Sequence, residues 1–183
     1  MSTAKPPPQK ILLTGKPGVG KTTVVMKVLE RFRGKASGFY TEEMRRKGTR
    51  EGFRVKTLDG GEGVLAHVSY SGPFRVGRYG VDIEVFDAIV IPSLERALGK
   101  GELLVIDEIG KMELFSKRFR SLIHRILTSE GKVLGVIHQR TDPLTDQIRK
   151  LQDVEIWTVT DENRNPLPQV ILKRFEQKVS DEG

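Results

Sequence analysis

A glycine-rich segment near the start of the chain has the residue types and spacing of a phosphate-binding loop. Residues 15–22 read GKPGVGKT and follow a short apolar run, residues 11–13. Glycines let the backbone curl around a phosphate chain with its N–H groups. Lys21 can place a positive charge on the β- and γ-phosphates, and the Thr22 hydroxyl can ligate Mg²⁺. The segment is therefore predicted to bind the triphosphate of a nucleotide.

The second candidate group is an acidic pair, Asp107 and Glu108, that directly follows the apolar run 103–106. Ligands of open α/β sheets bind at the carboxyl ends of the strands, which is where this pair would emerge. Asp107 is predicted to hold Mg²⁺ together with Thr22, as a Walker B carboxylate does. Glu108 is predicted to orient and deprotonate an attacking water.

Several basic side chains are candidates for contacts with the phosphates or the base. Positive charge must meet the γ-phosphate in the transition state, and Arg78 and Arg140 are the arginines favoured for this role. Lys111 follows the acidic pair at a spacing that reaches either the phosphates or a structural ion-pair partner. Arg164 follows the last predicted strand and can stack on the base. The guanine-selecting NKxD motif is absent from the sequence, so loose base preference is expected.

The elements that must position these residues are read from the hydrophobic pattern. Five apolar runs predict buried strands, namely 11–14, 38–41, 103–106, 133–137 and 154–159. Helical patterns separate most of them. This alternation predicts a parallel sheet with helices on both faces.

Local signals predict where the helices begin, bend and end. Ser116 is predicted to be an N-cap, and Pro143 fits the first turn of a helix. Gly34 is predicted to cap the end of the helix that follows the phosphate-binding loop. Pro92 is predicted to kink or interrupt its helix. The last helix is predicted to place Val170 and its apolar neighbours on the sheet.

Residues 52–81 depart from the strand–helix alternation. Short alternating runs are separated there by Asp-Gly-Gly at 59–61 and Ser-Gly-Pro at 71–73, which are hairpin signals. We predict a small antiparallel insertion between the second strand and the next helix. Residues 41–43 are expected to end the second strand at the phosphate-binding edge of the sheet.

Length and composition predict one intracellular domain. The 183 residues suit a single domain over 10–178, preceded by a disordered lead, 1–9, and followed by a charged tail, 179–183. Neither a membrane span nor a signal peptide is recognisable, so a cytoplasmic protein that does not bind membranes is expected. The lack of cysteine excludes disulfides and thiolate metal sites.

The net charge of +7 leaves a nucleic-acid partner open. No segment combines dense Lys/Arg with interleaved aromatic residues at a recognisable spacing, so the sequence does not favour such a partner. The sequence leaves the oligomeric state open, with a monomer favoured over an oligomer.

Five motifs, in order along the chain, carry a family resemblance: 15–23 (GKPGVGKTT), 38–43 (GFYTEE), 76–81 (VGRYGV), 105–114 (VIDEIGKMEL) and 160–164 (TDENR). With them the chain resembles the small P-loop nucleoside-triphosphatases first described in thermophiles, whose animal members are called cancer-related nucleoside-triphosphatases. The resemblance implies an α/β three-layer sandwich of the ASCE type, in which another strand lies between the P-loop strand and the Walker B strand. It also implies slow, Mg²⁺-dependent hydrolysis of ATP, GTP and other nucleoside triphosphates.

These considerations together define the predicted site. The predicted catalytic residues are Lys21, Glu108, Arg78 and Arg140, and the predicted metal ligands are Thr22 and Asp107. The predicted nucleotide-binding residues are Gly15, Lys16, Pro17, Gly18, Val19, Gly20, Lys21, Thr22, Thr23, Asp107, Glu108, Lys111 and Arg164.

Two other functions share the same P-loop. In a small-molecule or nucleotide kinase, the base would activate an acceptor hydroxyl and the segment 52–81 could act as a lid. In a nucleotide switch, slow hydrolysis would time the binding of a protein or RNA partner.

Overall fold

The computed structural model describes residues 8–177, which form a nine-stranded sheet, five α-helices and one 3-10 turn. The strands are β1 (Lys10–Thr14), β2 (Ala36–Arg46), β3 (Thr49–Thr57), β4 (Glu62–His67), β5 (Arg75–Val76), β6 (Tyr79–Val81), β7 (Leu103–Ile109), β8 (Lys132–Ile137) and β9 (Val154–Thr158). The helices are α1 (Lys21–Arg31), α2 (Ile83–Ala97), α3 (Lys117–Thr128), α4 (Pro143–Arg149) and α5 (Leu167–Glu176), and the 3-10 turn is Glu113–Phe115.

Half of the sheet is parallel and contains all five predicted strands. The strand order there is β2-β7-β8-β1-β9, and every neighbouring pair is parallel. Strand β8 lies between β1, which leads into the phosphate-binding loop, and β7, which carries the acidic pair. This is the ASCE arrangement that the family resemblance implies, so the predicted fold class is confirmed.

Side chains that alternate along β1 bury the two faces of the sheet. Ile11 and Leu13 belong to one core cluster, which is filled by α1 and α5. Leu12 belongs to the other cluster, under α2 and α3. Burying each such side chain contributes about 1.5–3 kcal/mol. The two cores hold the ends of β1 and β7 in fixed positions at one edge of the sheet.

The antiparallel part extends the same sheet in the order β5-β6-β4-β3-β2. Strand β2 pairs with β7 through its first residues and then with β3 as far as Arg46. The expectation that residues 41–43 end the second strand is therefore wrong, because β3 pairs with all three of them. The hairpin turns at Lys47 and Gly48, both with positive φ (48° and 80°), as a tight two-residue turn requires.

Two of the local predictions are confirmed, and the predicted interruption of a helix at Pro92 is wrong, while a kink there stays a prediction. The Ser116 hydroxyl caps α3 by accepting a 2.9 Å hydrogen bond from the Phe119 N–H, and Pro143 lies in the first turn of α4. Helix α2 is not interrupted at Pro92. Apolar side chains on both sides of this proline, among them Phe86 and Leu94, are fully buried. Their packing outweighs the loss of one backbone hydrogen bond.

The predictions for Gly34 and Val170 are also wrong. Helix α1 ends at Arg31, and its cap residue is Phe32, in an extended conformation. The Phe32 ring packs edge-on against Phe175 of α5, with centroids 6.4 Å apart, so the chain leaves the helix before reaching the glycine. Val170 is 49% exposed, since successive residues of a helix point about 100° apart and its neighbours Ile171 and Leu172 occupy the buried face.

Some of the predictions lie outside the described residues. Residues 1–7 and 178–183 are not described, so the predicted lead, tail and domain bounds stay predictions. Among the described residues, no helix has the length and apolarity needed to cross a membrane. The monomeric state and the cytoplasmic location stay predictions.

Candidate active site

The predicted phosphate-binding loop connects β1 to α1 in a conformation that depends on its glycines. Gly15, Gly18 and Gly20 have φ values of 146°, 76° and 108°. A Cβ on Gly15 would lie 2.7 Å from the backbone oxygen of Val159. Gly20 caps α1 without a side-chain hydrogen bond, and the first turn holds no acidic residue. The N–H groups and the helix dipole are thus available to an anion.

Lys21 lies across this loop. Its Nζ donates hydrogen bonds of 2.8 Å to the backbone oxygens of both Gly15 and Lys16. Partial burial lowers its pKa, while the charges of Glu108 and Asp107 oppose that shift. The cation therefore lies between the loop and the two acidic residues, as a group that contacts terminal phosphates must.

Asp107 and Thr22 meet as the sequence predicts. Asp107 is 2% exposed at the carboxyl end of β7. Its pKa is raised to about 7, chiefly by burial and also by the charge of Glu108, while a hydrogen bond from Thr22 and the charge of Lys21 oppose the shift. Its Oδ2 is buried without a hydrogen-bond partner among residues 8–177. An unpaired buried carboxylate oxygen beside a hydroxyl is a donor set that suits Mg²⁺.

Glu108 occupies an irregular point of the sheet. The pairing of β7 with β8 shifts register between Asp107 and Ile109, which lets two successive acidic side chains serve one site. Burial raises the pKa of Glu108, and the positive charge of Lys21 lowers it. A Cβ on Gly110 would lie 2.4 Å from Glu108 Oε1, so this glycine leaves the space that the carboxyl group fills.

Glu113 is a third carboxyl group of the site that the sequence reasoning missed. It is 3% exposed in the 3-10 turn. Burial and the charges of Glu108 and Asp107 raise its pKa well above the ordinary value, against hydrogen bonds from its own N–H and that of Gly110. The signal in the sequence is an acidic residue between two apolar ones, Met112 and Leu114.

Arg164 reaches the phosphate-binding loop from the segment after β9. Its Nη1 donates to the backbone oxygen of Val19 at 3.3 Å and pairs with Asp161 at 3.2 Å. Its Cδ lies 3.7 Å from the position of a Cβ on Gly20. Asn163 fixes this segment by donating to the Thr158 backbone oxygen at 2.8 Å. The structure thus places Arg164 beside the loop, where a base contact is sterically reasonable.

The remaining basic candidates are exposed. The Arg78 guanidinium lies 5.3 Å from the centroid of the Tyr79 ring and donates to the backbone oxygen of Arg50. Arg140 follows β8, with its backbone oxygen accepting from the Thr145 hydroxyl at 3.4 Å. Lys111 is exposed on the segment between Glu108 and Glu113. The catalytic and phosphate-binding roles of these three residues stay predictions.

Comparison with known proteins agrees with this geometry. A family model described as NTPase matches residues 10–172. The nucleoside-triphosphatase THEP1 of Thermotoga sp. (strain RQ2) is 48% identical over 163 residues, which cover 89% of this chain and 93% of that protein. The protein of the same name from Aquifex aeolicus (strain VF5) is 41% identical over 177 residues, covering 92% and 99%.

Two solved structures share the fold. The crystal structure of THEP1 from Aquifex aeolicus matches with a TM-score of 0.85 at 40% identity, covering 92% of this chain and 99% of that one. The solution structure of a human cancer-related nucleoside triphosphatase matches with a TM-score of 0.79 at 39% identity, covering 93% and 100%. The chain therefore belongs to the NTPase family, the P-loop family that includes the THEP1 nucleoside-triphosphatases.

Proposed function

We propose that this chain hydrolyses nucleoside 5′-triphosphates to the diphosphate and inorganic phosphate. The observation that carries the proposal is the convergence of Lys21, Asp107 and Glu108 at one edge of the sheet, where their charges act on one another. The relatives named nucleoside-triphosphatase support it, because their identity to this chain extends over nearly its whole length.

The loop and Lys21 bind the triphosphate. Backbone N–H groups of residues 15–23 surround the phosphates, and Lys21 turns from the backbone oxygens of Gly15 and Lys16 to the β- and γ-phosphates. Because the lysine is partly buried, its charge is weakly screened there. Most of the catalytic effect is thus positioning and electrostatic stabilisation.

Thr22 and the unpaired Oδ2 of Asp107 would hold Mg²⁺. When bound there, the ion would supply positive charge that offsets the negative charge of the phosphate oxygens. Within residues 8–177, no cluster of three or more His, Cys, Asp or Glu side chains is arranged to hold a metal. The proposed site would instead use two protein oxygens, those of Thr22 and Asp107.

Glu108 acts as the general base. Its carboxylate takes a proton from a water as the water oxygen attacks the γ-phosphorus, and the bond from the γ-phosphorus to the β,γ-bridging oxygen breaks. Arg78 and Arg140 are the proposed sources of further positive charge in this step. Arg164 is proposed to border the base without selecting one, so turnover is expected to be slow and similar for different bases.

The proposal is tested by measuring the release of inorganic phosphate from ATP, GTP or CTP in the presence of Mg²⁺. The parent protein is compared with the variant Glu108→Gln. The variant is expected to lose about 10²–10⁴-fold in kcat while it still binds nucleotide, because only the base is removed. Glu130→Gln, an exposed glutamate outside the site, is the matched control. Unchanged release by Glu108→Gln would remove this residue from the mechanism.

A further inference from the structure

A cavity of about 160 Å³ lies beside the proposed base, on the side of the antiparallel strands. Its apolar walls come from Phe53, Leu65, Val76 and Met112, and Thr41 of β2 and Lys111 line it as well. Two carboxyl groups, those of Glu108 and Glu113, also line it. A cavity with apolar walls and a few convergent polar groups is the kind of space in which small molecules bind.

Glu108 connects this cavity to the nucleotide site. On one side its carboxyl group interacts with the charge of Lys21 in the phosphate-binding loop. On the other side it lines the cavity. The other residues that line the cavity lie on β2 to β5 and in the segment 111–113. A molecule in the cavity would therefore present a hydroxyl group to the same base that serves hydrolysis.

The cavity is larger than hydrolysis requires. A single attacking water occupies about 30 Å³, against about 160 Å³ here. Phe53, Leu65, Val76 and Met112 offer apolar surface that waters cannot hydrogen-bond, whereas Thr41, Lys111 and the two glutamates offer polar contacts. The space therefore fits one small organic molecule that has both an apolar and a polar part.

We propose that this cavity is an acceptor site, and that the chain also transfers the γ-phosphoryl group to a hydroxyl of a small, uncharged polyol. The proposal rests on the nucleotide site and base of the proposed function. Glu108 takes the proton of the acceptor hydroxyl, whose oxygen forms the new bond to the γ-phosphorus. The bond to the β,γ-bridging oxygen breaks, and the nucleoside diphosphate leaves. The products are a phosphate monoester and the diphosphate, with no change of oxidation state.

Charge and hydrogen bonding define the class of acceptor. Two carboxyl groups and one ammonium group, that of Lys111, line the cavity, so acidic groups outnumber basic ones and disfavour an acceptor that carries a carboxylate or phosphate of its own. Glu113 is held by backbone N–H groups, its own and that of Gly110, and it offers a second polar contact at a fixed place. An acceptor with one hydroxyl at Glu108 and another at Glu113 satisfies both groups, while its carbon chain covers the apolar walls.

The test uses the full chain with Mg²⁺ and ATP and a probe pair, 1,4-butanediol and 4-hydroxybutanoate, with ³¹P NMR measuring phosphate monoester and inorganic phosphate. We expect monoester from the diol and much less from the anion. Val76→Phe, which fills the cavity, is expected to lower the ratio of monoester to phosphate by about tenfold or more. Val64→Phe is the matched control, because Val64 is 38% exposed on β4 and does not line the cavity.

The outcomes separate the two proposals. Release of inorganic phosphate alone by the parent, or an unchanged product ratio in Val76→Phe, would overturn the acceptor site and leave hydrolysis standing. Equal monoester from diol and anion would overturn the uncharged class. Neither product from the parent would refute the proposed function itself. Met112→Phe fills the same cavity from another element and repeats the test where Val76→Phe is poorly folded.

Discussion

The acidic side chains of the site act on one another. The charge of Glu108 raises the pKa of Asp107, and both charges raise the pKa of Glu113. Among the charged groups that shift the pKa values of Asp107 and Glu108, Lys21 is the one that lowers them. This concentration of buried acid destabilises the free protein and favours the binding of a cation, so function and stability conflict at these residues.

Replacing Asp107 by Asn is expected to stabilise the nucleotide-free protein at pH 8. The folded pKa is about 7 against 3.8 for an ordinary aspartate. As the pH rises from 3.8, the pKa of Asp107 in the unfolded chain, to above 7, the folded protein loses stability relative to the unfolded chain. The difference between the two pKa values limits this loss to about 4 kcal/mol. Urea unfolding without Mg²⁺ measures it, and the difference should vanish near pH 3. A parent more stable than the variant at pH 8 would contradict this account.

A single methyl group at Gly110 is expected to impair catalysis without unfolding the protein. The added Cβ would lie 2.4 Å from Glu108 Oε1, the mobile end of a side chain, so the carboxyl group must move and the fold need not. Gly110→Ala should lower kcat by about 10-fold to 10²-fold, since a small misplacement of a base is costly. Nucleotide affinity should stay at the parent value in a titration with Mg²⁺ present. Equal kcat in parent and variant would show that the carboxyl position is uncritical.

At the scale of elements, Ser116 connects the 3-10 turn that carries Glu113 to the helices α2 and α3. Its hydroxyl accepts from the Phe119 N–H at the start of α3 and donates to Asp87 of α2. Ser116 is fully buried, whereas Ser121 of the same helix is exposed. Ser116→Ala is expected to cost about 1–3 kcal/mol, because a buried N–H and a carboxylate lose their partner. Chemical denaturation compares it with Ser121→Ala, and equal stability of the two variants would deny the cap this role.

The pairing of elements was only partly readable from the sequence. Hydrophobic runs located all five parallel strands, because buried strands of a parallel sheet are apolar throughout. The antiparallel part was predicted to begin at residue 52, but its pairing begins within β2, because the polar second half of β2 carries no such run. Its strand conformation comes from the backbone hydrogen bonds to β3, which pair Glu42 with Arg54.

At the scale of the molecule, β2 makes the parallel and antiparallel parts one unit. Phe39 of β2 packs edge-on against Phe86 of α2 at 5.5 Å and Phe119 of α3 at 5.7 Å. Phe39→Ala is expected to lower stability by about 3–5 kcal/mol and to leave one cooperative transition. The fluorescence of the single tryptophan, Trp157, monitors the unfolding of β9, at the far edge of the sheet. Separate transitions by its fluorescence and by circular dichroism would mean that the two parts unfold independently.

The sequence by itself was enough to predict phosphate binding by Lys21 and Mg²⁺ binding by Thr22 and Asp107, because a P-loop and an acidic residue at the end of a buried strand are local patterns. It also determined the fold class, through the alternation of strands and helices. Only the tertiary structure decided that Glu113 joins the acidic pair and that a cavity lies behind Glu108. Both depend on which strands become neighbours in space, and no local pattern of residues encodes the shape left between packed elements.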